Sequence, residues 1–204
     1  MSVIILNYGL GNLNSILNMT TRLGIDAKIS NEPSDLTKAT KIILPGVGAF
    51  DHGINGLKKG DWLGTLNEVV LKKKVPILGV CLGMQLMCNK SEEGYQEGLG
   101  WINADVCKFK YSVESNLKIP HMGWNTVAIK KNNPLIDFKE TDKRFYFVHS
   151  YYVACKNQDD IFATANYGHD FTAAFSHENI YGVQFHPEKS HRFGMDLFQN
   201  FLSL

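Results

Sequence analysis

The sequence predicts a single α/β domain over residues 1–204, in which a mainly parallel, mixed sheet carries helices on both faces. Three observations predict this class. Short, continuously apolar runs stop at loops, as do strands buried on both faces of a parallel sheet. Segments with apolar residues at helical spacing separate these runs. The second half instead has short β-rich pieces between turns, which predicts an antiparallel extension of the sheet.

Strands and helices alternate in the first half. Residues 3–6 are an apolar run that stops at an Asn-Tyr-Gly loop, so they predict a buried strand. From Ser15 onward apolar residues recur near helical spacing, and Gly24 stands where a helix C-cap belongs. The same patterns predict further strands at 27–29, 41–44 and 75–80 and a helix at 62–73.

The second half predicts mainly strands. The β-rich pieces lie at 105–109, 126–129, 144–149, 171–175 and 181–185. Pro187 ends the last of them, because proline lacks the N–H that a strand ladder needs. Ser190 is predicted to cap a closing helix, whose apolar face carries Phe193, Leu197, Phe198, Phe201 and Leu202.

Composition excludes several classes of function. Lys and Arg number 21 and Asp and Glu number 20, so the formal net charge is +1, and no long block of one sign is present. We therefore expect neither nucleic acid nor membrane among the partners. The longest mostly apolar stretch, 76–88, is shorter than the roughly 18 to 20 residues of a membrane span, and the N-terminal run lacks the basic flank of a signal peptide. A cytoplasmic location is expected.

The sequence predicts no metal and no cofactor. The four cysteines are widely spaced without a CxxC pair, and the histidines lack metal-ligand spacing with cysteines or carboxylates. The glycine-rich segment 9–12 follows the first strand, but Asn14 stands where a dinucleotide-binding fingerprint has its third glycine. A dinucleotide site is therefore not expected.

The segment GVCLG at 79–83 lies between a predicted buried strand and a segment of helical character. This is the pattern of a nucleophile elbow, in which side chains beside the strained central residue would collide with neighbouring elements, so glycines are needed. Cys81 is the central residue, and its sulfur would lie at a helix N-terminus, where free N–H groups stabilise a thiolate. Taken alone, Cys81 is equally well interpreted as a buried thiol in a turn.

The segment QFHPE at 184–188 follows the last predicted strand. Ligands of open α/β sheets bind beyond the carboxyl ends of the strands, so His186 and Cys81 are expected at one edge. Pro187 restricts the backbone of His186, so one stiff loop would hold the imidazole and the Glu188 carboxylate. A lone histidine is more often structural. A thiol, a histidine and a carboxylate at matching strand ends predict a nucleophile, a base and an orienting group.

A glycine-rich turn, PGVGAF at 45–50, directly follows the predicted strand 41–44. Acyl transfer needs donors for a developing oxyanion, and such a turn exposes backbone N–H groups that tilt with little steric penalty. The alternative, a simple strand-to-helix turn, is equally compatible with this segment alone.

Three motifs together resemble the class I (triad) glutamine amidotransferases, namely GVCLGMQ at 79–85, PGVG at 45–48 and YGVQFHPE at 181–188. Within this family, the sequence is more similar to the glutaminase subunits of imidazole glycerol phosphate synthases. That likeness spans the chain, through NYGLGN at 7–12, PGVGAF at 45–50, SEEG at 91–94, GLG at 98–100, HMGWN at 121–125, HSY at 149–151 and PEKS at 187–190.

The resemblance implies a flavodoxin-like amidotransferase fold and a role for each matching residue. Cys81 would attack the side-chain amide of L-glutamine, His186 would shuttle the proton and Glu188 would orient His186. A γ-glutamyl thioester would form, and ammonia would be the useful product. The oxyanion would be held by the N–H of Leu82 and one from the Val47–Gly48 turn. The family positions near bound glutamine are Gln85, Glu93, Ser150 and Tyr151.

The resemblance also implies a partner, a cyclase subunit with a (β/α)₈ barrel in a heterodimer. Ammonia would join a ribonucleotide there to give imidazole glycerol phosphate and an aminoimidazole carboxamide ribotide, in histidine biosynthesis. Asn12, Trp124, Tyr146 and Lys189 match the partner face, although Trp124 would also suit a core position. The closing segment SHRFGMD at 190–196 is instead similar to paralogues that supply ammonia for an amidino sugar in surface-polysaccharide biosynthesis.

Two other classes compete with this interpretation. A cysteine peptidase or small amidase would use the same thiol and imidazole without a partner. A regulatory subunit without activity would be expected to lack a triad member, whereas Cys81, His186 and Glu188 are all present.

Overall fold

The computed structural model describes residues 2–112, 115–137 and 143–204. The first half alternates in the order β1 Val3–Leu6, α1 Leu13–Arg22, β2 Ala27–Ser30, β3 Lys41–Leu44, α2 Phe50–Lys59, α3 Trp62–Leu66, β4 Ile77–Val80 and α4 Leu82–Leu86. The second half adds β5 Lys90–Ser91, β6 Ala104–Lys108, β7 His121–Ile129, β8 Arg144–His149, β9 Tyr151–Cys155, β10 Ile161–Tyr167, β11 His169–His177, β12 Ile180–Val183 and α5 His191–Ser203. None of the described helices is long and apolar enough to cross a membrane.

One mixed sheet orders the strands β2-β1-β3-β4-β12-β11-β10-β7-β8. The first five are parallel neighbours, and the later pairs along this path are antiparallel. Strand β9 pairs with β11 and with β6, which also pairs with β5. The predicted mixed sheet is therefore confirmed. The carboxyl ends of β1, β3, β4 and β12 meet at one edge, which is where such sheets bind ligands.

Apolar side chains cover both faces of the parallel strands. Ile4 and Leu6 belong to one buried cluster, together with residues of α2 and α3. Val3 and Ile5 belong to a second cluster, together with residues of α1 and α5. Successive strand residues point to opposite faces, so a strand between two cores needs an unbroken apolar run. Helices on both faces are thus confirmed.

Two predicted elements differ in detail. The helix predicted at 62–73 divides into α3 and a π-helical turn, Asn67–Lys72. Ser190 is the N-cap residue of α5, as predicted, but its hydroxyl makes no capping hydrogen bond to this helix. The hydroxyl instead donates to the carbonyl of His186 at 2.6 Å and accepts from the N–H of Tyr146 at 3.0 Å. Because these partners occupy it, Ser190 ties β8 to the loop after β12.

Candidate active site

Cys81 lies between β4 and α4 with φ 53° and ψ −108°. A positive φ is disfavoured for any residue that has a Cβ. The flanking glycines make the turn possible, because a Cβ at Gly79 would lie 2.8 Å from backbone atoms of Gly83, and a Cβ at Gly83 would overlap the carbonyl of Leu44. The N–H of Cys81 donates to the carbonyl of Val183 at 2.8 Å. The elbow is thereby fixed to β12.

His186 and Glu188 follow β12 and form a buried pair. Nδ1 of His186 lies 2.8 Å from Oε1 of Glu188, and the two side chains are 1% and 2% exposed. A carboxylate only accepts, so Nδ1 carries the hydrogen of this bond. Nε2 has no hydrogen-bond partner of good geometry among the described residues, and it is therefore available for proton transfer.

Opposing effects set the pKa of His186. Burial lowers the pKa, but the neighbouring Cys81 sulfur and the Glu188 carboxylate outweigh burial and raise it to about 10. The ring is therefore an imidazolium, with a proton on each nitrogen, at neutral pH. A sulfur beside an imidazolium that a carboxylate orients is the arrangement of an activated thiol nucleophile.

A cavity of about 320 Å³ contains both Cys81 and His186 in its wall. It lies where β4 and β12 end, so parallel strand ends bring the two together. The positions that the sequence predicts for the oxyanion and for the substrate also line it, namely Val47, Gly48, Leu82, Gln85, Glu93, Ser150 and Tyr151. The wall further includes Pro120, Val148 and His149, none of which the sequence predicts as a site residue.

Gln184 is a buried polar contact that sequence reasoning missed. Its Nε2 lies 3.7 Å from the Cys81 sulfur, and its Oε1 accepts from Nε2 of Gln85 at 3.0 Å. The same Gln85 nitrogen also donates to the carbonyl of Tyr151 at 3.1 Å. A polar residue between the apolar strand β12 and the predicted base His186 is the signal that could have identified Gln184.

Glu93 is held at the cavity by a reciprocal clasp with α2. Its Oε2 accepts from the N–H of Phe50 at 2.8 Å. In return, the Asp51 carboxylate accepts from the N–H groups of Tyr95 at 3.0 Å and Gln96 at 2.9 Å. The sequence does not predict Asp51 as a site residue, because its partners lie more than forty residues away along the chain.

The turn predicted to supply oxyanion donors is held at its start. The hydroxyl of Tyr8 donates to the carbonyl of Pro45 at 2.6 Å. The N–H of Leu82 donates to the carbonyl of Gly46 at 3.3 Å, so in this conformation it already has a partner. Gly48 has φ +113°. Glycine adopts such a φ readily, whereas a residue with a side chain is strained there.

Trp124, Tyr146 and Lys189 form a cluster on the surface. The rings of Trp124 and Tyr146 lie 6.2 Å apart, and Nζ of Lys189 lies 5.7 Å from the Tyr146 ring. Trp124 also stacks on His191 at 5.6 Å, and it is 47% exposed, so the alternative that it fills the core is wrong. Asn12 lies in the loop after β1, at the sheet edge that carries the cavity.

The comparisons with known proteins agree on one family. A family model described as "Glutamine amidotransferase class-I" matches residues 4–204. The chain is 53% identical over 200 residues to "Imidazole glycerol phosphate synthase subunit HisH 2" of Methanococcus maripaludis, covering 98% of each chain. It is 48% identical over 202 residues to the protein of the same name from Pseudomonas aeruginosa, covering 99% of each.

A solved structure has the same fold. It is described as a glutamine amidotransferase, with a TM-score of 0.76 and 15% identity. The match covers 98% of this chain and 97% of that one. At this identity the likeness concerns the fold alone.

Proposed function

This chain belongs to the class-I glutamine amidotransferase family, and we propose that it is the glutamine-hydrolysing subunit of an imidazole glycerol phosphate synthase. One observation carries the proposal: Cys81 at its elbow and His186, which is paired with the buried Glu188, line one cavity. The identity to synthase subunits over nearly the whole chain supports the same conclusion. The chain is accordingly an enzyme, and L-glutamine is its substrate.

In the proposed reaction the Cys81 sulfur attacks the side-chain amide carbon of glutamine. His186 donates its Nε2 proton to the departing nitrogen, so ammonia leaves and a γ-glutamyl thioester remains. Water then attacks the thioester carbonyl while His186 accepts its proton, which releases glutamate and regenerates Cys81. Glu188 orients the imidazole throughout. The raised pKa of His186 supports this assignment, because an imidazolium can protonate the leaving amine.

We propose that Gln85, Glu93, Ser150 and Tyr151 bind the glutamine. They line the cavity that contains Cys81, and Glu93 would place a carboxylate near the α-ammonium group. The clasp between Glu93 and Phe50 supports a fixed position for that carboxylate.

Val47, Gly48 and Leu82 would supply the oxyanion donors after a rearrangement of the turn. The Leu82 N–H now donates to Gly46, and it must exchange that partner before it can stabilise a developing oxyanion. The occupied Leu82 N–H therefore supports slow glutamine hydrolysis by the isolated chain. Hydrolysis would be faster when the partner reorients the Val47–Gly48 peptide.

The proposed partner is a cyclase subunit with a (β/α)₈ barrel, bound as a heterodimer over Asn12, Trp124, Tyr146 and Lys189. The exposed, stacked Trp124 supports this face, because large exposed aromatic residues are enriched at interfaces. Ammonia would pass to the barrel, where its nitrogen would be incorporated into imidazole glycerol phosphate. The names of the two relatives favour this acceptor over an amidino-sugar precursor.

The experiment is a comparison of two nitrogen sources in the complex of this chain with the barrel subunit of the same genome. Cys81→Ala should abolish glutamine-dependent formation of imidazole glycerol phosphate and leave formation from added ammonium salt intact. Loss of both would mean that the thiol has another role. A wild-type complex that hydrolyses glutamine but forms no imidazole glycerol phosphate would favour the amidino-sugar alternative.

A further inference from the structure

Two buried histidines beside the cavity are not used by the mechanism above. His121 on β7 and His149 on β8 face each other across the antiparallel pair, and Nδ1 of His121 lies 2.9 Å from Nε2 of His149. They are only 3% and 6% exposed. The His121 ring stacks on Tyr167 at 4.1 Å and on Phe147 at 4.9 Å. Two imidazoles in such an apolar setting need a complete set of hydrogen-bond partners.

The partners at each end fix which nitrogen carries each proton. Nδ1 of His149 lies 2.7 Å from the carbonyl of Tyr151, which can only accept, so His149 donates there. The amide Nδ2 of Asn125 lies 3.2 Å from Nε2 of His121 and can only donate. With both rings neutral, His121 must then donate from Nδ1 to Nε2 of His149. The hydrogen bonds run in one direction, from Asn125 to Tyr151.

Burial keeps both rings neutral. It lowers the pKa of His121 to about 4. It is also the largest effect on His149, whose pKa falls to about 3. A second proton on His149 would place two N–H groups against each other in the 2.9 Å contact, and one on His121 would place its Nε2–H against the Asn125 amide at 3.2 Å.

The end of this chain of hydrogen bonds is a cavity residue. The Tyr151 carbonyl that accepts from His149 also accepts from Nε2 of Gln85 at 3.1 Å, and Gln184 accepts from the same nitrogen. Because Nε2 is held by two acceptors, the Gln85 amide cannot turn over without losing both. Its oxygen Oε1 is the atom left for a ligand, and an amide oxygen accepts hydrogen bonds.

We propose that His121 and His149 are positioning residues for bound glutamine: the neutral pair fixes the Tyr151 carbonyl, and through it holds the Gln85 oxygen toward an N–H donor of the substrate. This inference rests on the function proposed above, because it takes glutamine as the ligand. It predicts that damage to the pair weakens substrate binding more than the chemical step.

The arrangement itself is tested by the ring nitrogens in ¹⁵N NMR of the wild-type chain. Both His121 and His149 should be in the Nδ1–H form and should not titrate between pH 6 and 8. An Nε2–H tautomer, or a titration near pH 6.5 at either ring, would overturn the proposal. This measurement does not depend on activity.

The positioning role is tested by glutaminase kinetics of the complex. His121→Phe keeps the ring packing but removes the donor, and it should raise KM for glutamine about tenfold with kcat within about threefold. His121→Asn places an amide near the position of Nδ1 and should restore KM to within about twofold. Phe147→Leu is the matched control, because it removes a stacking ring and leaves the hydrogen bonds, so it should lower Tm without changing KM.

The outcomes separate this inference from the proposed function. An active wild-type complex in which His121→Phe leaves KM unchanged, or in which Phe147→Leu raises KM equally, would reduce the pair to a structural role. A wild-type complex without glutaminase activity would overturn the proposed function and the substrate named here. If His121→Phe does not fold, the NMR measurement still tests the arrangement, and a His121→Asn complex whose KM rises well beyond twofold would overturn the positioning role.

Discussion

Cys81 is held in a backbone conformation that only glycine adopts without strain. Such a position costs a residue with a side chain on the order of 1–3 kcal/mol, and the surrounding structure must supply it. Two features stabilise this conformation. The N–H of Cys81 donates to the carbonyl of Val183, and Gly79 and Gly83 have no Cβ atoms that would collide with neighbouring backbone. The strained conformation places Cys81 in the cavity wall, so a loss of stability at this residue accompanies the exposure of a reactive sulfur to substrate.

The strain at Cys81 should be measurable by a pair of substitutions. Cys81→Gly should be more stable than Cys81→Ala by about 1 kcal/mol, because glycine relieves the positive φ and this gain exceeds its entropic disadvantage. Urea unfolding measures the difference, and both variants should lack glutaminase activity. At Cys155 in β9, which has no positive φ, the order should reverse. An alanine variant as stable as the glycine variant at position 81 would contradict the strain.

At the scale of elements, local pattern predicts the parallel core and misses elements that depend on distant contacts. The run at 3–6 predicts β1 because one strand between two cores must be apolar throughout. The sequence does not predict helix α2, since Gly53 and Gly56 lower its helix propensity. The structure explains Gly56, because a Cβ there would lie 2.5 Å from the carbonyl oxygen of Tyr8.

The same limit applies to the candidate site. The Cys81 elbow could be predicted, because its glycines are close to it in the sequence. Gln184 lies 103 residues from Cys81, and Asp51 lies 44 residues from Tyr95, so only the folded chain reveals these contacts. His121 and His149 belong to motifs that carry the family resemblance. Their pairing, however, depends on the register of β7 and β8.

Two glycines in helices should respond oppositely to alanine. Gly64→Ala in α3 should stabilise the chain by about 0.5–1 kcal/mol, because nothing lies within 4 Å of the added Cβ and alanine is the better helix former. Gly56→Ala in α2 gains the same propensity, but the contact with Tyr8 should make it destabilising by at least about 1 kcal/mol. Urea unfolding measures both, and equal signs would show that α2 does not pack as described.

For the whole molecule, buried imidazoles rather than net charge determine how stability responds to mild acid. The formal charge is only +1, so repulsion between like charges is weak near neutrality. His121 and His149 are different, because their pKa values fall to about 4 and about 3 in the folded chain. An unfolded histidine titrates near 6.5. Between these values the unfolded chain binds protons that these two folded rings exclude, so their contribution to stability falls as pH falls.

The contribution of this pair to the free energy of unfolding should therefore be complete above about pH 6.5 and decrease by about 1.4 kcal/mol per pH unit for each of the two histidines below it. His186 acts in the opposite direction, because its pKa is raised to about 10 in the folded chain, and its stabilising contribution grows as pH falls until it is nearly complete at about pH 6.5. From pH 7.5 to 5.0 the pair loses about 4 kcal/mol and His186 gains about 1.4 kcal/mol, so the net decrease is about 2.5 kcal/mol, which is large against the 5–15 kcal/mol of a typical domain. Urea unfolding at several pH values measures it. His121→Asn removes one of the two titrating rings, so the acid-side decrease should be about half as steep in that variant. A wild-type stability that is constant from pH 7.5 to 5.0 would mean that these rings are protonated as easily in the folded chain as in water, and the neutral pair would be ruled out.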